Sequence, residues 1–90
     1  MKAGLWFRVE GRVQGVGFRV FVQDLAESVG ATGSVWNTHD GAVEGNAFGN
    51  KTCLERFLAG LGEGPGWVGN VTSAPLTPEE HSHFMVEPTR

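Results

Sequence analysis

Between Gly11 and Arg19 the chain reads GRVQGVGFR, three glycines and two arginines within nine residues. Glycine lets successive backbone N–H groups turn toward one small anion, and an adjoining helix start adds unpaired N–H groups and the positive end of its dipole. Arg19 adds a guanidinium, which grips a phosphoryl group through two N–H groups and does not lose its charge. The stretch reads as a phosphate cradle. Two familiar phosphate loops are excluded by the letters: the nucleoside triphosphate loop needs Gly-Lys followed by Ser or Thr, and the dinucleotide fingerprint needs a third glycine where Val20 stands. A glycine cluster alone usually marks a connecting turn. Arg19 beside the inner glycines favours the cradle.

Other reactive side chains are sparse. Cys53 is the only cysteine, so no intrachain disulfide or cysteine-built zinc site can form, and it reads as a small helical side chain rather than a nucleophile. His81 and His83 are expected to share a strand face, a weak metal signal without a third ligand. His39 and Asp40 are expected to form a hairpin tip in solvent, Trp36 to be a solvent-side aromatic, and Arg8 and Arg12 to be isolated surface arginines.

The flanking elements must position the cradle. Leu5, Phe7 and Val9 alternate with Trp6, Arg8 and Glu10, the pattern of a strand with one buried face. Phe21, Leu25 and Val29 recur at four-residue spacing, predicting a helix from about Arg19 that stops at Gly30. Residues 33–48 read as a hairpin turning at Asp40-Gly41. Asn37 shares a strand face with Val35, where a buried amide without a partner is costly. Asn50 caps a second helix carrying Leu54, Phe57, Leu58 and Leu61, ended by GEGPG. Val68 and Val71 mark a strand whose three-residue spacing suggests a bulge. Thr77-Pro78-Glu79-Glu80 predicts a capped helical turn, and Phe84 with Val86 a short last strand. The order β-α-β-β-α-β plus a terminal strand predicts a ferredoxin-like α+β sandwich, an antiparallel sheet with two helices on one face.

The 90 residues make a single domain, 1–90, which buries roughly 60 to 65% of the surface its unfolded chain exposes. A net charge of −3 and a pI near 5.5 argue against nucleic acid and anionic membranes as partners. One cysteine, no membrane-length apolar run and no signal-peptide pattern predict a soluble cytoplasmic protein. The same sandwich serves RNA readers and metal carriers, but the aromatic strand signature of the first and the paired cysteines of the second are missing.

In element order and in two motifs, GRVQGVGFR and the hairpin Asn37-Thr38-His39-Asp40-Gly41-Ala42-Val43-Glu44, the chain resembles the acylphosphatases over nearly its whole length. The resemblance implies hydrolysis of a carboxylic–phosphoric anhydride without metal or cofactor, an acyl phosphate as substrate, inorganic phosphate as product, and a monomer. By position it makes Gln14, Gly15, Val16, Gly17 and Phe18 the backbone cradle, Arg19 the phosphate-gripping arginine and Asn37 the residue that orients the attacking water. Ser34, Trp67 and His83 depart from the family's usual residues without touching either motif. A related module occurs within hydrogenase-maturation carbamoyltransferases; a free-standing domain is expected here.

Overall fold

The alternation of Leu5, Phe7 and Val9 does build a strand, β1 (Ala3–Arg12), in a computed structural model that describes residues 2–90. It is followed by α1 (Phe18–Val29), β2 (Thr32–Asn37), β3 (Val43–Gly49), α2 (Lys51–Leu61), β4 (Trp67–Leu76) and β5 (Phe84–Val86). The five strands form one sheet in the order β4-β1-β3-β2-β5. β1 pairs antiparallel with β3 and β4, and β2 antiparallel with β3. This is the expected ferredoxin-like arrangement with one correction: β5 runs parallel to β2, Gly33 opposite Phe84, so the sheet is mixed rather than antiparallel. Because β4 and β2 run in opposite directions, a chain that reverses after β4 and lands beside β2 must run parallel to it.

One core joins the sheet to both helices. Phe18, Val22 and Ala26 of α1 and Cys53, Leu54, Phe57 and Leu61 of α2 are buried with Leu5, Phe7, Val9 and Phe84. The Phe57 ring meets Phe7 edge-on at 5.0 Å and Phe84 at 6.1 Å, an arrangement aromatic rings favour. Gly30, at φ 83, ends α1, and Asn50 Oδ1 caps α2 by accepting the Cys53 N–H at 2.8 Å. The irregular Val68 and Val71 spacing falls at a register shift, where Glu10 faces Asn70 and Gly11 faces Val68.

The capped turn at Thr77–Glu80 does not form: residues 77–81 have no regular structure. They carry the chain from one sheet edge to the other, four inter-strand spacings or roughly 19 Å at about 4.8 Å each. A helical turn advances only about 1.5 Å per residue and cannot span that distance. Glu80 instead pairs with Lys2 at 3.0 Å, and the His81 ring stacks on Phe48 at 5.1 Å. His81 and His83 therefore share no strand face. The His83 carbonyl accepts the Gly33 N–H at 3.0 Å, the first link of the chain to β2.

Candidate active site

The turn from β1 into α1 is made by two glycines, Gly15 at φ 74 and Gly17 at φ 80, in the left-handed region that other residues avoid. A Cβ at either position would meet nothing within 4 Å, so the backbone angle and not crowding demands glycine. Gly17 is also the N-cap of α1 and brings no side chain to cover the helix start. Among the described residues, the first amide of the 15–21 stretch to meet a backbone acceptor is that of Phe21, which donates to Gly17 O at 3.1 Å. The amides before it have no backbone acceptor among the described residues, and a helix start in that state can bind an anion.

A cavity of about 130 Å³ lies against this turn, lined by Gly15, Gly17, Phe18 and Arg19 together with Val13, Val20, Asn37 and Val86. Arg19, predicted from the motif, is half-buried there and Nη1 donates to the Glu87 carbonyl at 2.8 Å. One of five guanidinium N–H groups is thus committed to holding the side chain, and no carboxylate among the described residues pairs with it. Asn37 ends β2, shares a face with the fully buried Val35, lines the cavity, and has its carbonyl held by the Arg90 N–H at 2.8 Å. Its carboxamide forms no hydrogen bond with the described residues and is open to the cavity, which resolves the cost that burial of an unpartnered amide would carry.

Gln14 and Val16 do not line the cavity. The Gln14 side chain points to the β2–β3 turn, where Nε2 donates to Thr38 O at 2.7 Å and Ala42 O at 2.8 Å. It ties the cradle loop to the loop that follows Asn37.

Two surface expectations are corrected by the same region. Trp36 is 5% exposed rather than solvent-facing, because the Arg90 guanidinium lies over its ring at 3.7 Å. Arg8 is not isolated: it donates to Asp40 and Glu44 at 2.7 Å each and to Glu10 at 3.2 Å. Asp40 keeps its exposed place at the turn but also accepts the Thr38 hydroxyl, and these two donors, Thr38 first, hold its carboxyl down to about 2. Burial pushes the Cys53 thiol up, away from reactivity. No three His, Cys, Asp or Glu side chains gather in metal-binding geometry among the described residues, and no described helix is long and apolar enough to cross a membrane.

Sequence reasoning passed over Glu87, Val86 and Val13 as parts of this site. Glu87 and Val86 reach it only through the parallel pairing of β5, which no local pattern announces; Val13 was legible only as part of the glycine motif.

A sequence model of the acylphosphatase family matches residues 5–86. The chain belongs to the acylphosphatase family. An acylphosphatase of Thermotoga petrophila is 45% identical over 89 residues, covering 97% of this chain and 98% of that protein. Among solved structures, an acylphosphatase from Coxiella burnetii superposes with TM-score 0.91 at 35% identity, covering 96% of this chain and 93% of that one. The acylphosphatase of Bacillus subtilis gives TM-score 0.91 at 34% identity over 97% and 99% of the two chains. Family and fold make this protein a hydrolase of acid anhydrides, with an acyl phosphate as substrate and phosphate as product.

Proposed function

We propose that this acylphosphatase works without a metal, holding the substrate's phosphoryl group on the amides of Gly15 to Phe18 and on Arg19 while Asn37 orients the attacking water. The supporting observation is the common cavity: Gly15 and Gly17 of the β1–α1 turn, Arg19 of α1 and Asn37 at the end of β2 line it together. Water attacks phosphorus, the bond from phosphorus to the bridging oxygen breaks, and the acyl half leaves as a carboxylate. Its conjugate acid titrates near 4 to 5, like a side-chain carboxyl, so the leaving group needs no general acid. The water proton passes to a phosphoryl oxygen of the substrate, giving dihydrogen phosphate. Catalysis then rests on placement and on neutralising the phosphoryl oxygens. Arg19 and the open amides supply the neutralising charge.

The test is hydrolysis of benzoyl phosphate by purified protein in excess chelator. Turnover undiminished by the chelator is expected. Loss of turnover that added divalent metal restores would overturn the metal-free mechanism.

A further inference from the structure

Asp40-Gly41 is the one place in the sequence where an aspartate or asparagine precedes glycine. Such a pair has a reaction of its own. The glycine amide nitrogen attacks the aspartate carboxyl carbon, and one carboxyl oxygen leaves as water to give a five-membered imide. Water then reopens the ring. Where it breaks the bond between nitrogen and the original peptide carbonyl, the chain continues through the side-chain carbonyl as isoaspartate, with its composition unchanged. Glycine favours the attack because no Cβ crowds the approach. Two conditions remain: the carboxyl must be neutral, since a carboxylate is a poor electrophile, and it must be free to swing onto the glycine nitrogen.

Both residues are exposed at the β2–β3 turn, where water reaches them, yet the structure withholds both conditions. Oδ2 of Asp40 accepts from Arg8 Nη2 at 2.7 Å, and Oδ1 accepts the Thr38 hydroxyl. Arg8 is itself anchored, donating to Glu44 at 2.7 Å and to Glu10 at 3.2 Å, so the guanidinium does not travel with the Asp40 carboxyl. Thr38 first and Arg8 second keep that carboxyl at about 2 against the ordinary 3.8, which depletes its neutral form. The Gly41 N–H is directed elsewhere, to Thr38 O at 3.3 Å. Surface ion pairs add little stability, which leaves a guanidinium shared among three carboxylates weakly explained by folding alone. Of those three carboxylates, only Asp40 has the side-chain length that closes a five-membered ring on the next nitrogen.

We propose that Asp40-Gly41 is a site of spontaneous isoaspartate formation and that Arg8 and Thr38 suppress the reaction in the folded protein. The reaction needs only water and the chain itself, and it is independent of acyl phosphate hydrolysis. Its product lengthens the backbone by one methylene between Thr38 and Ala42, whose N–H to O bond at 2.9 Å closes the turn.

The test ages the full-length wild type, Arg8→Met and Thr38→Val in one neutral buffer, with circular dichroism confirming that each stays folded. Isoaspartate at residue 40 is measured by peptide mapping with electron-transfer fragmentation, and by methyl transfer from a labelled donor with an isoaspartate methyltransferase. Wild type unfolded in guanidinium chloride gives the rate of the unprotected chain. The folded wild type is expected to react at least about tenfold more slowly than that chain. Each folded variant is expected to react at least about threefold faster than the folded wild type, since the neutral carboxyl gains tenfold for each unit its pKa recovers, less the screening at an exposed site. Should Arg8→Met not fold, Thr38→Val reads the suppression by itself, because it keeps the branched shape and removes the hydroxyl donor. A wild type that reacts as fast folded as unfolded, or folded variants no faster than the wild type, would overturn the proposal.

Discussion

Arg19 and Asn37 face one cavity with different electrostatic means, and their substitution should separate binding from chemistry. In the proposed mechanism Arg19, with a full charge and one donor committed to Glu87, holds the phosphate dianion in the ground state as well as in the transition state. Arg19→Ala is expected to raise the inhibition constant of inorganic phosphate at least about tenfold and to lower kcat/KM further. The Asn37 carboxamide is neutral, and in the proposed role of orienting the water it matters chiefly during attack. Asn37→Ala is expected to lower kcat about 10²- to 10³-fold, the usual cost of removing one well-placed polar group, with the phosphate inhibition constant within about twofold. Matching losses of phosphate affinity in both variants would contradict the division. Gly17 can be judged on the same scale. At φ 80 a Cβ finds space but not a comfortable backbone, so Gly17→Ala should cost about 1 to 2 kcal/mol in urea unfolding and weaken phosphate inhibition by tilting the cradle amides.

The β2–β3 turn is the element that fixes where Asn37 ends relative to the cradle, and it is braced from two sides. Gln14 reaches over from the cradle loop to two of its carbonyls, while Arg8 on β1 grips Asp40 at 2.7 Å. The Asp40 carboxyl lies at about 2 instead of the ordinary 3.8, so its ionised form is favoured in the folded state. A depressed carboxyl pKa adds stability that is complete above the unfolded value and disappears as pH falls through the folded one. Urea midpoints of the wild type should therefore drop between pH 4 and pH 2 more steeply than those of Asp40→Asn. Parallel curves for the two proteins would show that the Arg8 and Thr38 contacts do not couple to folding. Much of this element's surroundings was legible beforehand. Alternation in β1, four-residue recurrence in α1, the Asn50 cap and the Asp40-Gly41 turn are local patterns, and each formed where the spacing put it. Arg8 among three carboxylates was not legible, because Glu10, Asp40 and Glu44 come together only through pairing of β1 with β3. The Thr77–Glu80 segment misled for a related reason: its capping pattern is genuine, but the distance between sheet edges overrides it.

Across the whole molecule, the segment after β4 crosses the sheet and returns the chain to the site. Glu87 donates its N–H to Val35 O and offers its carbonyl to Arg19, both at 2.8 Å. One turn further along α1, Gln23 reaches the Phe84 carbonyl at 3.0 Å, so helix and terminal strand are stitched at two points. Arg90 then donates its N–H to Asn37 O at 2.8 Å, accepts the His39 N–H at 3.1 Å, and lays its guanidinium over Trp36. The return path thus holds Arg19 through one residue and Asn37 through another, which makes the two separable. Deleting Arg90 removes two backbone hydrogen bonds and the cation–π contact but leaves the Glu87 carbonyl in place. A stability loss of about 1 to 3 kcal/mol is expected in urea unfolding. Because the Asn37 end of β2 loses its tether while Arg19 keeps its own, kcat on benzoyl phosphate should fall roughly tenfold with the inhibition constant of phosphate held within about twofold. Hydrogen exchange at the His39 amide provides the structural readout, with protection lost in the shortened protein. Lost protection with full turnover would mean that Asn37 keeps its place without Arg90, and a rise in the phosphate inhibition constant would mean that the tether to Arg19 depends on the last residue as well.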